Sequence, residues 1–107
     1  MSKRKKPNKK MLEIYRQQKE FGCILCKVLN VEQDSVTEIH HLRDGMGMSQ
    51  RGVRCIPLCV KHHRINNHGY HGMGRKWFEA EYHCNEKDLL SAWEVASGIY
   101  PNWTEFK

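Results

Sequence analysis

Two adjacent histidine pairs, His40-His41 and His62-His63, are the residues of this chain best suited to chemistry. The first pair ends a short β-like run that begins at Val36, and the second lies just inside a helix expected after Pro57-Leu58. Imidazole nitrogens bind divalent metals, and a neutral imidazole accepts a proton near neutral pH. A strand end and a helix start that carry such pairs predict a compact site for a divalent metal and a general base.

A second set of residues has the spacing of a structural zinc site. Such sites take four Cys or His ligands in two close pairs. Cys23-x2-Cys26 supplies one pair, and Cys59-x2-His62 supplies the other. Cys55 competes for the last place, because Cys55-x3-Cys59 is also feasible, but a strand residue at 55 would more naturally point into the core. A zinc ion held this way would join the two ends of the hairpin that carries the first histidine pair.

The members of each histidine pair are expected to face different ways. A helix turns about 100° per residue, so His63 projects away from His62 and can face the hairpin. Successive strand residues point to opposite sides, so His40 and His41 can serve one site only if the strand end twists or bulges. Cys84 has no close partner in the sequence and is expected to bind no metal.

Three segments carry a family resemblance: Glu38–Leu42, Ile56–His63, and Tyr70–Glu79 with Tyr82. Together they resemble the HNH, or ββα-metal, endonuclease superfamily, and within it the phage recombination-enhancement, RecA-dependent nucleases. The match covers about residues 23–83 and implies a metal-dependent DNA endonuclease with His41 as the general base. The metal ligands that the resemblance implies are His40, His63 and His71. The central asparagine of the family name is missing, and Arg54 stands near its place.

Phosphodiester hydrolysis suits these residue types on chemical grounds as well. A base must deprotonate the attacking water while a cation neutralises charge on the phosphate and the leaving oxygen. An imidazole-rich site with Glu38 as its nearby carboxylate suits Zn²⁺, Ni²⁺ or Co²⁺ by softness. Mg²⁺ or Mn²⁺ can serve when phosphate oxygens and water complete the shell. Arg64 or Arg54 could hold a flanking phosphate.

The distribution of charge indicates a polyanionic partner. The net charge is +6, and the six basic residues among the first ten account for all of it: Lys3, Arg4, Lys5, Lys6, Lys9 and Lys10. Residues 43–76 add seven Lys or Arg against the single acid Asp44. Phosphate neutralisation dominates nucleic-acid affinity, so DNA is the expected partner. The resemblance adds a recombinase filament, while a tail that only aids solubility is the alternative for residues 1–10.

Helices and one hairpin are expected to position these residues. The segments predicted in chain order are a helix at 10–20, a knuckle at 23–26, an extended piece at 28–31, strands at 36–42 and 53–58, a helix from 60 to about 69, a flexible segment at 69–74, and helices at 75–82 and 86–97. Asn85 is the expected N-cap of the last helix, with Asp88 at N3 and Gly98 at its end. Its apolar stripe is Leu89, Leu90, Trp93 and Ala96.

Length and cysteine usage bound the class of protein. A chain of 107 residues forms one domain. Five cysteines, an odd number, argue against a disulfide framework, as does a basic start without an apolar core, so a reducing compartment is expected. The resemblance implies that this compartment is the bacterial or phage-infected host cytoplasm. No apolar run approaches the ~20 residues of a membrane span. The predicted class is α+β: a small zinc-stapled ββα-metal (HNH) domain at 11–107 with flanking helices, after a disordered basic tail at 1–10.

Two other functions explain part of the pattern. A non-catalytic, zinc-stabilised nucleic-acid-binding module accounts for the cysteines and the charge but leaves His41, His63 and His71 without a role. A metal-storage or sensor protein leaves the basic tail without a role. Nicking of plasmid DNA, compared between the wild type and His41→Ala, separates a nuclease from both.

Overall fold

The computed structural model describes residues 9–42 and 53–103, in which helices surround one short hairpin. The elements are α1 (Lys9–Phe21), α2 (Ile24–Leu29), β1 (Thr37–His41), β2 (Cys55–Cys59), α3 (Val60–Arg64), α4 (Tyr70–Met73), α5 (Arg75–Tyr82) and α6 (Glu86–Ser97). The predicted α+β class is confirmed. None of the helices in these two ranges combines the length and the apolar character that a membrane crossing requires.

The hairpin pairs β1 with β2 in antiparallel register, from Thr37 opposite Cys59 to His41 opposite Cys55. Backbone bonds continue the pairing at both ends, because the Leu42 N–H donates to the Arg54 carbonyl and the Val60 N–H donates to the Val36 carbonyl. β2 is buried along its whole length, whereas most of β1 is half-buried. The predicted strands agree with the observed ones to within two residues at each end.

Helix α1 packs one face against the hairpin. Met11, Ile14 and Gln18 are buried at spacings of three and four, which is the pattern of an amphipathic helix. The Gln18 side-chain amide donates to the Cys55 carbonyl at 2.8 Å, which ties the helix to β2. The helix begins at Lys9, one residue before its predicted start.

Helix α6 packs against α2 and β2. A capping box starts it, because the Asn85 side chain accepts from the Asp88 N–H while the Asp88 carboxylate accepts from the Asn85 N–H. Gly98 ends the helix with a φ of +74°. Three members of the predicted stripe are buried, Leu89, Leu90 and Trp93, but the fourth, Ala96, is exposed. The stripe therefore ends one turn earlier than predicted.

Three other local predictions were wrong. Helix α3 ends at Arg64, well before the predicted end near residue 69, because Ile65 leaves the helical conformation with φ −78° and ψ 137°. Val28 and Leu29 belong to helix α2 rather than to an extended piece, because the Cys23 sulfur caps that helix by accepting the Cys26 N–H and Asn30 ends it in the left-handed conformation. The glycine-rich segment 69–74, predicted to be flexible, contains helix α4. Gly72 lets this helix lie directly on the end of α3, since a Cβ there would stand 2.4 Å from the Ile65 carbonyl oxygen. The predicted loop between the strands falls largely outside the described residues.

Candidate metal centres

Three thiols and one imidazole converge at a buried point between α2, β2 and α3. Cys23 precedes α2 and Cys26 lies in its first turn, while Cys59 ends β2 and His62 lies in α3. All four residues are buried. The hairpin brings the two sequence pairs together, although 32 residues separate Cys26 from Cys59.

The spacing of the four ligand atoms matches a tetrahedral shell. The His62 Nδ1 lies 3.6 Å from the Cys23 Sγ and 3.4 Å from the Sγ atoms of both Cys26 and Cys59. The Cys26 and Cys59 sulfurs are 3.8 Å apart. A tetrahedral zinc ion with ordinary Zn–S and Zn–N bonds separates sulfur from sulfur by about 3.8 Å and sulfur from nitrogen by about 3.6 Å. This buried Cys3His group could therefore bind a structural metal such as zinc.

Burial favours the neutral form of three of these ligands, Cys23, Cys26 and His62. It raises the pKa of the Cys23 and Cys26 thiols and lowers the pKa of His62. The thiols then remain protonated, and binding a cation would release their protons. Cys55 does not belong to the group: it lies buried in β2, where burial raises the pKa of its thiol to about 12.

Three histidines from different elements form a second group, called here the histidine trio. His40 comes from β1, His63 from α3 and His71 from α4, and one ring nitrogen from each lies within 4.8 Å of the others. The ring centroids are 4.8 to 5.1 Å apart. His40 is buried, whereas His71 is exposed, so the trio opens to solvent on one side.

Two carboxylates each contact one ring nitrogen of the trio. The Glu86 Oε2 lies 2.5 Å from the His40 Nε2, and the Glu38 Oε1 lies 2.9 Å from the His63 Nδ1. Histidines that bind metals usually donate their other ring N–H to a carboxylate, which fixes the tautomer and the ring orientation. Burial lowers the pKa of His63. The lower pKa favours the neutral imidazole, which is the form that binds a metal.

Glu86 is a functional candidate that the sequence reasoning missed. It lies 46 residues from His40 along the chain, and its position at the start of α6 carried no signal beyond helix capping. Tyr70 had no predicted role of its own in the sequence. Its ring centroid lies 4.6 Å from that of His40 and 5.4 Å from that of Phe78. These ring contacts link the trio to α5.

His41 lies outside the trio and contacts α1 instead. Its Nε2 is 3.1 Å from the Tyr15 hydroxyl, and the two rings meet edge to face at 5.8 Å. β1 pairs with β2 in regular register through this residue, so the bulge that would let both histidines serve one site is not present there. Ordinary strand alternation therefore turns His40 toward the trio and His41 toward α1.

The structure describes four of the eight residues that were predicted to contact nucleic acid. Arg64 is on α3 beside the trio, where it donates to both Glu38 oxygens at 3.0 Å while its side chain stays 57% exposed. This guanidinium holds the pKa of Glu38 below its usual range. Arg54 immediately precedes β2, and Lys9 and Lys10 lie in the first turn of α1. The other four tail residues, Lys3, Arg4, Lys5 and Lys6, lie outside the described residues.

Comparison of the chain with protein-family models, with curated proteins and with solved structures finds no match. The two ligand groups and the residues that contact them are therefore the basis for assigning a function.

Proposed function

We propose that this protein is a metal-dependent DNA endonuclease of the HNH type. In this proposal Cys23, Cys26, Cys59 and His62 hold a structural Zn²⁺, while the histidine trio holds a second divalent metal, Mg²⁺, Mn²⁺ or Zn²⁺. His41 is the general base. A recombination intermediate, alone or with a recombinase filament, is the candidate substrate.

One observation carries the proposal: the chain holds two ligand groups of opposite character. Structural zinc sites are closed by four protein ligands, whereas catalytic sites have three and keep a position open. The Cys3His group has four ligands and is buried, while the trio has three and opens to solvent at His71. This division supports one metal for folding and one for chemistry.

The residues around the trio have distinct tasks in this reaction. A divalent cation bound there would neutralise charge on the scissile phosphate and on the leaving oxygen. His40, His63 and His71 hold it, and Glu86 and Glu38 orient two of those rings. His41, at the end of the same strand, takes the proton from the attacking water. Because strand alternation turns His41 to the other side of β1 from the trio, the proposal requires the phosphate to span the end of β1 between them.

The charge of the chain supports DNA as the substrate. Arg64, on α3 next to the trio, keeps more than half of its side chain exposed while Glu38 fixes its direction. A guanidinium held in this way can bind a phosphate with its remaining donors. The basic start of the chain would add affinity that does not depend on sequence.

Nicking of supercoiled plasmid tests the proposal. The reaction is run with Mg²⁺, Mn²⁺, Co²⁺, Ni²⁺ or Zn²⁺ and with a chelator, using the wild type, His41→Ala and, as a matched control, His68→Ala. His68 is exposed and belongs to neither ligand group. We expect metal-dependent nicking by the wild type and the control and none by His41→Ala.

The same assay separates the competing functions. Branched and single-stranded DNA, each with and without a recombinase filament, replace the plasmid in parallel reactions. DNA binding without cleavage under all of these conditions would replace the nuclease by a zinc-stabilised nucleic-acid-binding module. Equal nicking by His41→Ala would remove His41 as the base.

A further inference from the structure

Helix α5, which follows α4, carries an indole that faces solvent. Trp77 is 67% exposed, whereas Trp93 is fully buried and Trp103 is half-buried. A single exposed apolar residue is common on a protein surface, so the surroundings of Trp77 decide what it can bind. We infer that Trp77 stacks on an unpaired DNA base and that the substrate is DNA with unpaired bases beside the cleaved bond. This inference rests on the proposed nuclease function and adds the class of DNA on which it acts.

Ring contacts fix α5 relative to the histidine trio. Trp77 and Phe78 are adjacent, and the helix turns about 100° between them, so Phe78 enters the core while Trp77 meets solvent. The Phe78 ring centroid lies 5.4 Å from that of Tyr70. Tyr70 in turn packs against two members of the trio, with centroids 4.6 Å from His40 and 5.4 Å from His71. The indole therefore belongs to a helix that is anchored to a direct neighbour of the trio.

The charge around Trp77 favours a nucleic acid as the partner that covers it. Arg75 and Lys76 directly precede Trp77, and both are exposed. Arg75 keeps 66% of its side chain exposed while it pairs with Glu79 at 3.4 Å. Residues 53–76 contain five Lys or Arg and no Asp or Glu. Cations beside an aromatic face are the combination that binds single-stranded nucleic acids, because the cations follow the backbone while the ring stacks on a base.

Unpaired bases fit this surface better than a closed duplex does. In a duplex each base stacks on its neighbours, so an indole reaches a base face only after a base step is forced apart, which costs free energy. An unpaired base offers its face without that cost. Stacking accepts any base, since every base has a π face. The substrate class is therefore DNA in which a gap, a flap or a branch leaves bases unpaired.

Binding of labelled DNA, measured by fluorescence anisotropy without added metal, tests the role of Trp77. A closed duplex is compared with the same duplex carrying a single-stranded gap, using the wild type, Trp77→Ala, Trp77→Phe and Trp77→Leu. We expect Trp77→Ala to bind the gapped DNA about tenfold more weakly than the wild type and the closed duplex within about twofold of it. Trp77→Phe should keep most of the affinity for gapped DNA. Trp77→Leu, which is apolar but has no ring, should lose it.

Two further variants separate stacking from charge and from loss of any exposed apolar side chain. Lys76→Gln should weaken both DNAs and reduce the slope of log affinity against log salt by roughly 0.7 to 0.9, whereas Trp77→Ala should leave the slope unchanged, because stacking releases no counterions. Val95, on α6, is 72% exposed and lies beside the acid Glu94. Val95→Ala should bind both DNAs like the wild type. All three side chains are exposed, so the melting temperatures should remain those of the wild type.

Indole emission supplies a readout that depends on neither affinity nor activity. Trp77→Phe keeps the other two tryptophans, Trp93 and Trp103, so the difference between its emission and that of the wild type reports Trp77 alone. We expect saturating gapped DNA to quench this part of the emission and closed duplex to leave it unchanged. Unchanged Trp77 emission with saturating gapped DNA would overturn the inference.

The remaining outcomes are also distinct. Equal weakening of gapped and closed DNA in Trp77→Ala would make Trp77 a general apolar contact and overturn the preference for unpaired bases, and unchanged binding of both would overturn the role of Trp77 altogether. A wild type that binds gapped DNA through Trp77 but never cleaves any DNA removes the proposed nuclease and leaves the stacking surface in place. A wild type that binds neither DNA overturns both.

Discussion

At the scale of single residues, the contact made by the second nitrogen of each imidazole separates the roles of the histidines. His40 and His63 each turn one nitrogen to a carboxylate, which leaves the other available to a cation. His41 turns one nitrogen to a phenol, which cannot neutralise an imidazolium as a carboxylate can. His62 faces three sulfurs. Residues of one type, adjacent in sequence, thus enter three chemical environments.

His41→Ala and His71→Ala should fail in different ways. If His41 is the base, as proposed, its removal leaves the ligand set whole, so His41→Ala should lose cleavage by at least about a hundredfold while it binds DNA and the second metal normally. His71→Ala removes a ligand, so its activity should recover in part as more metal is added. Calorimetric titration of each variant with Mn²⁺, beside nicking assays over a range of metal concentrations, measures the difference. Recovery of His41→Ala with added metal would mean that it is a ligand instead.

Glu86→Gln should weaken the second metal without changing the structural zinc. The substitution keeps the shape of the side chain but replaces a carboxylate next to His40 with a neutral amide, and the loss of such outer partners typically costs about 10- to 100-fold in metal affinity. Glu32→Gln, on an exposed residue, is the matched control. Metal titration and zinc analysis of both proteins make the comparison. An unchanged affinity in Glu86→Gln would show that this carboxylate does not orient His40.

At the scale of elements, the close approach of α4 to the end of α3 brings two members of the trio together. Gly72→Ala would place a Cβ 2.4 Å from the Ile65 carbonyl oxygen, so α4 must move and take His71 with it. We expect weaker binding of the second metal and retention of zinc. Gly98→Ala is the control, because its φ of +74° makes alanine cost about 1 kcal/mol while its Cβ meets no atom within 4 Å. Equal loss of the second metal in both variants would point to general destabilisation.

The Cys3His group joins α2 to β2 and α3, so zinc binding should be part of folding. We expect one tightly held zinc per chain, and Cys26→Ser should lose both the metal and cooperative unfolding. Cys84→Ser, which lies outside the group, should retain both. Elemental analysis and thermal melting of the two variants check this. A folded wild type that contains no zinc would contradict the expectation.

The sequence predicted the elements that neighbouring residues specify, and it missed the features that depend on contacts between residues far apart in the chain. Residues at its two ends specify the bounds of α6: Asn85 and Asp88 form the cap at its start, and Gly98 ends it. The alternation of side chains along the strands specifies the hairpin. The bond from Glu86 to His40 joins residues 46 apart, and no local pattern encodes it. Helix α4 depends on a backbone contact between Gly72 and Ile65, so composition alone made its segment look flexible.

At the scale of the whole molecule, the excess charge is concentrated at the start of the chain. Residues 1–8 carry Lys3, Arg4, Lys5 and Lys6 and no acid, while Lys9 and Lys10 already belong to α1. Residues 11–107 have twelve basic and twelve acidic side chains. If the partner is DNA, as proposed, long-range attraction should come mainly from the first residues, and short-range contacts to phosphate from residues such as Arg64.

Removal of residues 1–8 should lower DNA affinity and leave the chemistry in place. None of the residues in the two ligand groups lies in this segment, and each lost phosphate contact should reduce the slope of log affinity against log salt by roughly 0.9. A full-length variant with Lys3, Arg4, Lys5 and Lys6 all changed to Gln separates charge from chain length. DNA binding over a series of salt concentrations, together with cleavage rates at saturating DNA, tests both proteins. If the salt slope of the Gln variant equals that of the wild type, these four charges do not touch phosphate, and the affinity must come from the folded part of the chain.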